Sequence, residues 1–134
     1  MTELSVRDVY DLQLREVSGI CERAAGDGRP RQLLAIGDDS HHLLVGDLEP
    51  EVPDSFARHD LEPLLVAAGV RLGKGSQWEG VDTDETGRVF VLREVPGTVF
   101  VFDPALERLR NVLHLTFEDD PGEQEAWDAA ENAL

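Results

Sequence analysis

Cysteine and long hydrophobic runs are almost absent from this chain, and each absence argues against a class of protein. Cys21 is the single cysteine, so the sequence contains neither a disulfide framework nor a cluster of thiolate metal ligands. We expect it to be a small residue of the core. No run of about 18 apolar residues occurs, so no membrane-spanning helix is expected. The N-terminus lacks the apolar region of a secretory signal, and we expect a cytoplasmic protein.

Basic residues are also scarce. The chain of 134 residues has 12 Lys and Arg against 28 Asp and Glu, which gives a formal net charge of −16. Nucleic acids are bound by clustered basic side chains, and none are clustered here, so we expect no nucleic-acid partner. Residues 118–131 carry seven acids and no base. We expect residues 118–134 to form a solvated acidic tail, with an arm for a basic partner as the alternative.

What the sequence does contain is a series of short apolar segments separated by Gly, Asp and Pro. Short apolar segments of this kind are typical of buried strands. Four of them are residues 31–37, 42–48, 88–94 and 98–104, and the last two are rich in β-branched and aromatic residues. An outer strand follows each pair, at 55–61 and at 110–117. Short turns join them, and Pro96-Gly97 suits a tight turn. The sequence therefore predicts an all-β chain built from antiparallel hairpins.

The hairpins form one unit that occurs twice. Ser18-Gly19-Ile20 aligns with Glu79-Gly80-Val81, and the strand segments that follow align in the same order. Within a single domain we place a first repeat at 15–61, a connector at 62–77 and a second repeat at 78–117. Each hairpin gains a strand on either side. The prediction is thus two four-stranded antiparallel units with the form of propeller blades.

These motifs, "SGI…LLAIGDDSHHLLVGDL" and "EGVDTDETGRVFVLREVPGTVFVFDP", resemble the blades of the SdiA-regulated and phytase-like β-propellers. In those families a small residue or Glu before Gly opens a blade. The resemblance covers roughly residues 15–117. A family propeller has several blades and this chain supplies about two, so the resemblance implies an incomplete ring. Completion would come from other copies, three of which make six blades, or from membership of a larger propeller.

The alternative fold is a small antiparallel β-sandwich, or an open sheet with a helix. Residues 61–70, "LEPLLVAAGV", are the candidate helix, with Pro63 near its first turn and Gly69 near its end. A helix of about ten residues needs packing to be stable. The same segment also fits a connection between two blades.

One group of acids has the spacing of a partial calcium loop. Asp82, Asp84 and Thr86 alternate before Gly87, as ligands do in the first half of such a loop. The second half does not match, because Arg93 stands where a bidentate Glu is needed. The same residue types are those that a hairpin tip favours without metal. The sequence favours the hairpin tip over a weak divalent site.

Glu79 is a second candidate, because it lies beside Trp78 at the start of a predicted strand. The calcium-dependent lactonase and esterase propellers are a more distant resemblance. It implies that Glu79 directs a carboxylate into a central channel, where a cation polarises a carbonyl or phosphoryl oxygen. The candidate metal site is then Glu79, Asp82 and Asp84, with calcium as the ion and no other cofactor. The alternative is that Glu79 accepts hydrogen bonds from backbone amides.

Two functions follow from these features. The favoured one is a noncatalytic interaction or scaffold module completed by other chains or by further sequence, because no catalytic motif such as G-x-S-x-G is present. The alternative is a divalent-metal-dependent hydrolase of ester or phosphoester substrates, which depends on the three acids. For the favoured function, incomplete closure leaves apolar strand faces in need of a cover. We expect that Phe90, Leu92, Phe100 and Phe102 do not all lie in the dry core of one chain.

Overall fold

The computed structural model describes residues 14, 16–26, 28–37, 40–49, 56–72, 78–94 and 97–115. These residues form two four-stranded antiparallel sheets, each in chain order, and one short helix. The first sheet contains β1 (Val17–Arg23), β2 (Gln32–Gly37), β3 (His42–Asp47) and β4 (Ala57–Asp60). The second contains β5 (Trp78–Thr83), β6 (Val89–Arg93), β7 (Thr98–Phe102) and β8 (Leu109–His114).

This architecture confirms the predicted fold class of two four-stranded antiparallel units. The described residues contain no closed ring or barrel. The six predicted strand segments all contain a strand, with ends that differ by a few residues. The acidic tail at 118–134, residues 73–77 of the connector and Pro96 lie outside the described residues.

The two sheets have the same pairing register, which confirms the alignment of the repeats. Gly19 pairs with Ile36 in the first sheet, and Gly80 pairs with Leu92 in the second. A register shift precedes the glycine in both cases. The pairing of β2 with β3 likewise matches that of β6 with β7. Each position of the first sheet therefore has a defined counterpart in the second.

The core lies between the sheets, and the sheets contribute opposite faces to it. The first sheet contributes Leu34, Ile36, Leu43 and Val45. Their counterparts in the second sheet are Phe90, Leu92, Val99 and Val101. The second sheet instead contributes Val89, Val91, Phe100 and Phe102. The sheets are therefore stacked front to back in the same orientation, unlike the facing inner surfaces of a β-sandwich.

Contacts between the first strands of the two sheets hold the stack together. A Cβ on Gly19 would lie 2.8 Å from the Cα of Gly80, so the backbones approach too closely for a side chain. The Ser18 hydroxyl donates a hydrogen bond to the Trp78 carbonyl oxygen at 2.5 Å. Trp78 is fully buried, and its Nε1 donates to Nδ1 of His41 at 3.2 Å. The start of β5 is thus anchored to the first sheet at both backbone and side chain.

Helix α1 (Glu62–Ala67) connects the sheets and confirms that the 61–70 segment contains a helix. Pro63 lies in its first turn, where a missing N–H is tolerated. Leu65 is fully buried in the core, and Gly69 has a φ of +79° just past the helix end. This helix is short, and none of the described residues form a helix long and apolar enough to cross a membrane.

Candidate functional site

The "DTDETG" stretch forms the tip of the β5–β6 hairpin, as the sequence predicted. Asp84 Oδ1 accepts hydrogen bonds from the backbone N–H of Thr86 and of Arg88, both at 3.0 Å, and from the Thr86 hydroxyl at 2.7 Å. Its Oδ2 accepts from Arg88 Nε at 2.8 Å. Gly87 closes the turn with a φ of +88°. The Thr86 hydroxyl, followed by Arg88, lowers the pKa of Asp84 to about 2.

The other two candidate metal ligands lie on the adjoining strand. Glu79 is exposed at the bulge of β5. Asp82 is exposed and pairs with Phe90, and its Oδ1 accepts from the backbone N–H of Thr83 at 2.8 Å. Across the described ranges, no group of three or more His, Cys, Asp and Glu side chains could hold a metal ion. The assignment of calcium to Glu79, Asp82 and Asp84 stays a prediction.

Cys21 lies against the core, as expected for a small structural residue. Burial, followed by the negative charge of Asp82, raises the pKa of its thiol to about 11. Because the thiolate is the reactive form of cysteine, this side chain is a poor nucleophile at neutral pH.

One face of the second sheet is apolar and open, in agreement with the expectation that apolar strand faces of this chain need a cover. Phe90, Leu92 and Val99 are partly exposed there. Leu113 and Leu115 are 44% and 42% exposed. The cavity on this face has a volume of about 330 Å³ and is bounded by Gly80, Val81, Asp82, Phe90, Leu92, Val99 and Leu115. Apart from Asp82, every side chain that bounds it is apolar.

The open face confirms that the four large apolar residues of β6 and β7 do not share one core. Phe100 and Phe102 are buried between the sheets. Phe90 and Leu92 lie on the opposite face, where they line the open cavity. Alternation of side chains along β7 separates Phe100 and Phe102 from Val99 and Val101. It did not identify Leu115, which lies just past β8 and completes the cavity.

The outer face of the first sheet corresponds, by register, to the core face of the second sheet. Its central residues are already covered. Ala35 and Leu44 on this face are each 1% exposed. Gly46 takes the position that Phe102 holds in the second repeat. A side chain at Gly46 would collide with the ring of Phe56, so this ring fills the space that Phe102 fills in the other sheet. The two ends of the stack therefore differ. The first is covered at Ala35 and Leu44 and exposes Ile20 on its first strand, whereas the second is open at Leu92 and Val99.

Comparisons with protein-family models, with curated proteins and with solved structures find no significant match for this chain. The resemblance to SdiA-regulated and phytase-like propellers stays a prediction.

Proposed function

We propose that this chain is a noncatalytic interaction module, and that a second copy of the chain packs against the open face of its second sheet. The observation that supports this most strongly is the equivalence of the two repeats. The open face, represented by Leu92 and Val99, is the counterpart of the face that the first sheet buries through Ile36 and Leu43. In the first repeat this face packs on a twisted antiparallel sheet. Its counterpart on the second sheet is apolar at the equivalent positions, which supports the same kind of packing.

A symmetric pair fits the described surfaces better than a ring of three copies. A ring would require the outer face of the first sheet to receive the open face of the next copy, and Ala35 and Leu44 of that outer face are already buried. A two-fold pair needs only the open face of each copy, because an isologous interface uses the same surface twice. Two such faces would pack about 10 Å apart with interdigitating side chains.

Charge gives this pair a distinctive dependence on salt. Each copy has a net charge of −16, so two copies repel one another over a range set by ionic strength. Apolar contact between the open faces is insensitive to this screening. Added salt should therefore strengthen the pair. It would weaken association with a basic partner, for which opposite charges supply the attraction.

Native mass, measured by sedimentation over a range of protein concentrations, tests the proposal. We expect a dimer whose dissociation constant decreases as the salt concentration is raised from about 50 mM to about 500 mM. Leu113→Glu, on the open face, should give a folded monomer. Ile20→Glu is the matched control, since Ile20 is 56% exposed on the first sheet and the change in charge is the same. A monomer at all concentrations, or a dimer that survives Leu113→Glu unchanged, would contradict the proposed pair.

The metal-dependent hydrolase stays a prediction without a specific supporting observation. Its candidate ligands are Glu79, Asp82 and Asp84, and the oxygens of Asp84 already accept hydrogen bonds from Thr86 and Arg88. We therefore propose the interaction module alone.

A further inference from the structure

A second cavity, of about 390 Å³, lies between the first sheet and the β7–β8 turn of the second. Three basic side chains line it, those of Arg23, Arg29 and His59. The other lining residues are Gln32, Val45, Asp47, Ala57, Pro104, Ala105 and Leu106. The cavity therefore combines a cationic part with an apolar part, in a chain whose overall charge is strongly negative.

Arg23 is a buried cation surrounded by neutral oxygens. It is 3% exposed. Its Nε and Nη2 donate to the Gln32 side-chain oxygen at 3.0 and 2.6 Å, and its Nη1 donates to the carbonyl oxygens of Gly87 and Pro104 at 3.1 and 2.9 Å. Within the described part of the chain no carboxylate pairs with it. Burial and then the charge of Arg29 lower the pKa of Arg23, which reflects this uncompensated surrounding.

Arg29 brings a second positive charge to the same place. Its guanidinium lies against Gly87, whose carbonyl oxygen accepts from Arg23. The Nε of Arg29 is buried and has no hydrogen-bond partner in the described residues. A buried donor without a partner is costly, because it has lost its water without replacement. Two guanidinium groups lie close together here, and neither pairs with a carboxylate among the described residues, so this is a favourable place for an anion.

The one acid in the lining does not supply that balance directly. Asp47 Oδ1 accepts a hydrogen bond from Nε2 of Gln32 at 2.8 Å, and the side-chain oxygen of the same Gln32 accepts from Arg23. The Gln32 amide thus separates the carboxylate from the guanidinium. His59 adds a ring nitrogen to the lining, and burial followed by the charge of Arg23 lowers its pKa, so the ring is neutral at neutral pH.

We propose that this cavity binds the oxyanion group, phosphate or carboxylate, of a small molecule whose apolar part lies against Val45, Ala57 and Leu106. The planar guanidinium of Arg29 has donors spaced for two oxygens of such a group. Arg23 keeps its hydrogen bonds within the protein, and its positive charge adds to the attraction for the anion. The cavity volume is several times that of an inorganic anion, so a small organic phosphate or carboxylate fits it better than the anion alone.

The test uses inorganic phosphate and acetate as separate probes, at constant ionic strength, with chloride as the reference anion. Chemical shifts of the backbone and of the Arg Nε–H and His59 ring groups are followed by NMR. We expect saturable shifts at Arg29 and His59 with phosphate, with acetate or with both, and the stronger probe identifies the preferred oxyanion. A chain with a net charge of −16 does not attract anions in general, so saturable shifts at these groups would report binding in this cavity.

Two variants and a control complete the test. Arg29→Gln should weaken anion binding about tenfold or more, since it removes a charge-assisted hydrogen bond, while Arg29→Lys should bind with intermediate affinity. Arg31→Gln is the matched control, because Arg31 is a nearby exposed arginine that pairs with Glu22 and Glu49 and does not line the cavity. Absence of saturable shifts with both probes would overturn the proposal. Equal loss in Arg29→Gln and Arg31→Gln would overturn it as well.

Discussion

Ile36 and Leu92 occupy the same position in the two repeats and have different surroundings. Ile36 is fully buried between the sheets, whereas Leu92 is partly exposed on the open face. The alternating side-chain pattern is the same in both strands, and the difference comes from what packs beside each sheet. An apolar face in a sequence therefore indicates that the face needs a cover. Whether the cover comes from the same chain is decided by the arrangement of the sheets.

The largest expected effect is a difference in stability between these two positions. Ile36→Ala should lower the free energy of unfolding by about 2–5 kcal/mol, because it leaves a cavity in a closed core. Leu92→Ala removes a side chain of the same size from the open face and should cost about 1 kcal/mol in the monomer. Urea unfolding at low protein concentration measures both. Equal losses would show that the two faces are equally enclosed.

The paired glycines provide the next comparison. A Cβ on Gly19 would lie 2.8 Å from the Gly80 Cα and 2.9 Å from the Val81 nitrogen, so Gly19→Ala must push the sheets apart. We expect a loss of about 1–3 kcal/mol. A Cβ on Gly80 would meet only Leu92 Cβ, at 3.9 Å, which is ordinary contact. Gly80→Ala should change stability by no more than about 0.5 kcal/mol. A reversed order in thermal or urea unfolding would mean that the sheets are stacked differently.

Much of this fold follows from local sequence. The short apolar segments between Gly, Asp and Pro specify the strands, and the matching of Gly19 with Gly80 specifies the repeat. The front-to-back stacking did not follow from the pattern, because both faces of β7 are apolar. It depends on the close approach of β1 and β5, which involves residues far apart in the chain. The ring of Phe56 over Gly46 is likewise a tertiary contact without a local pattern.

The sites were less predictable than the strands. The hairpin tip was recognisable because Asp, Thr and Gly act within a few residues of one another. The cationic cavity was not, because Arg23, Arg29 and His59 belong to separate segments and none stands in a recognisable motif. Only the folded first sheet brings these side chains together. The net charge of the whole chain, −16, even argued against a cationic site.

A smaller effect is expected from pH, at the contact that joins the first sheet to Trp78. Burial lowers the pKa of His41 below its ordinary value of 6.5, so its neutral Nδ1 accepts from Trp78 Nε1. The unfolded chain binds this proton more readily than the folded chain. Stability from His41 is therefore complete above about pH 6.5 and is lost progressively as the pH falls below it.

Urea unfolding at about pH 7.5 and about pH 5.5 measures this loss. The His41→Gln variant should show a smaller decrease between the two values, because it cannot be protonated. His59, whose pKa is also lowered by burial, contributes in the same direction, so His59→Gln is the necessary companion. Asp84 does not interfere, since its lowered pKa affects stability only below about pH 3.8. A decrease that is identical in all three proteins would show that neither histidine is responsible.

The smallest expected effect concerns calcium at the tip of the second repeat's first hairpin. Calcium requires six to eight oxygen ligands, and the turn offers Asp82, Asp84 and Thr86. Both oxygens of Asp84 already accept hydrogen bonds, and a bound ion would have to displace Arg88 from one of them. We therefore expect that calcium at about 1 mM leaves the melting temperature unchanged, in the native chain and in Asp82→Ala alike. A rise of several degrees that disappears in Asp82→Ala would instead establish a divalent site beside Glu79. It would also restore the hydrolase as the better account, because a bound cation with open positions polarises ester and phosphoester oxygens.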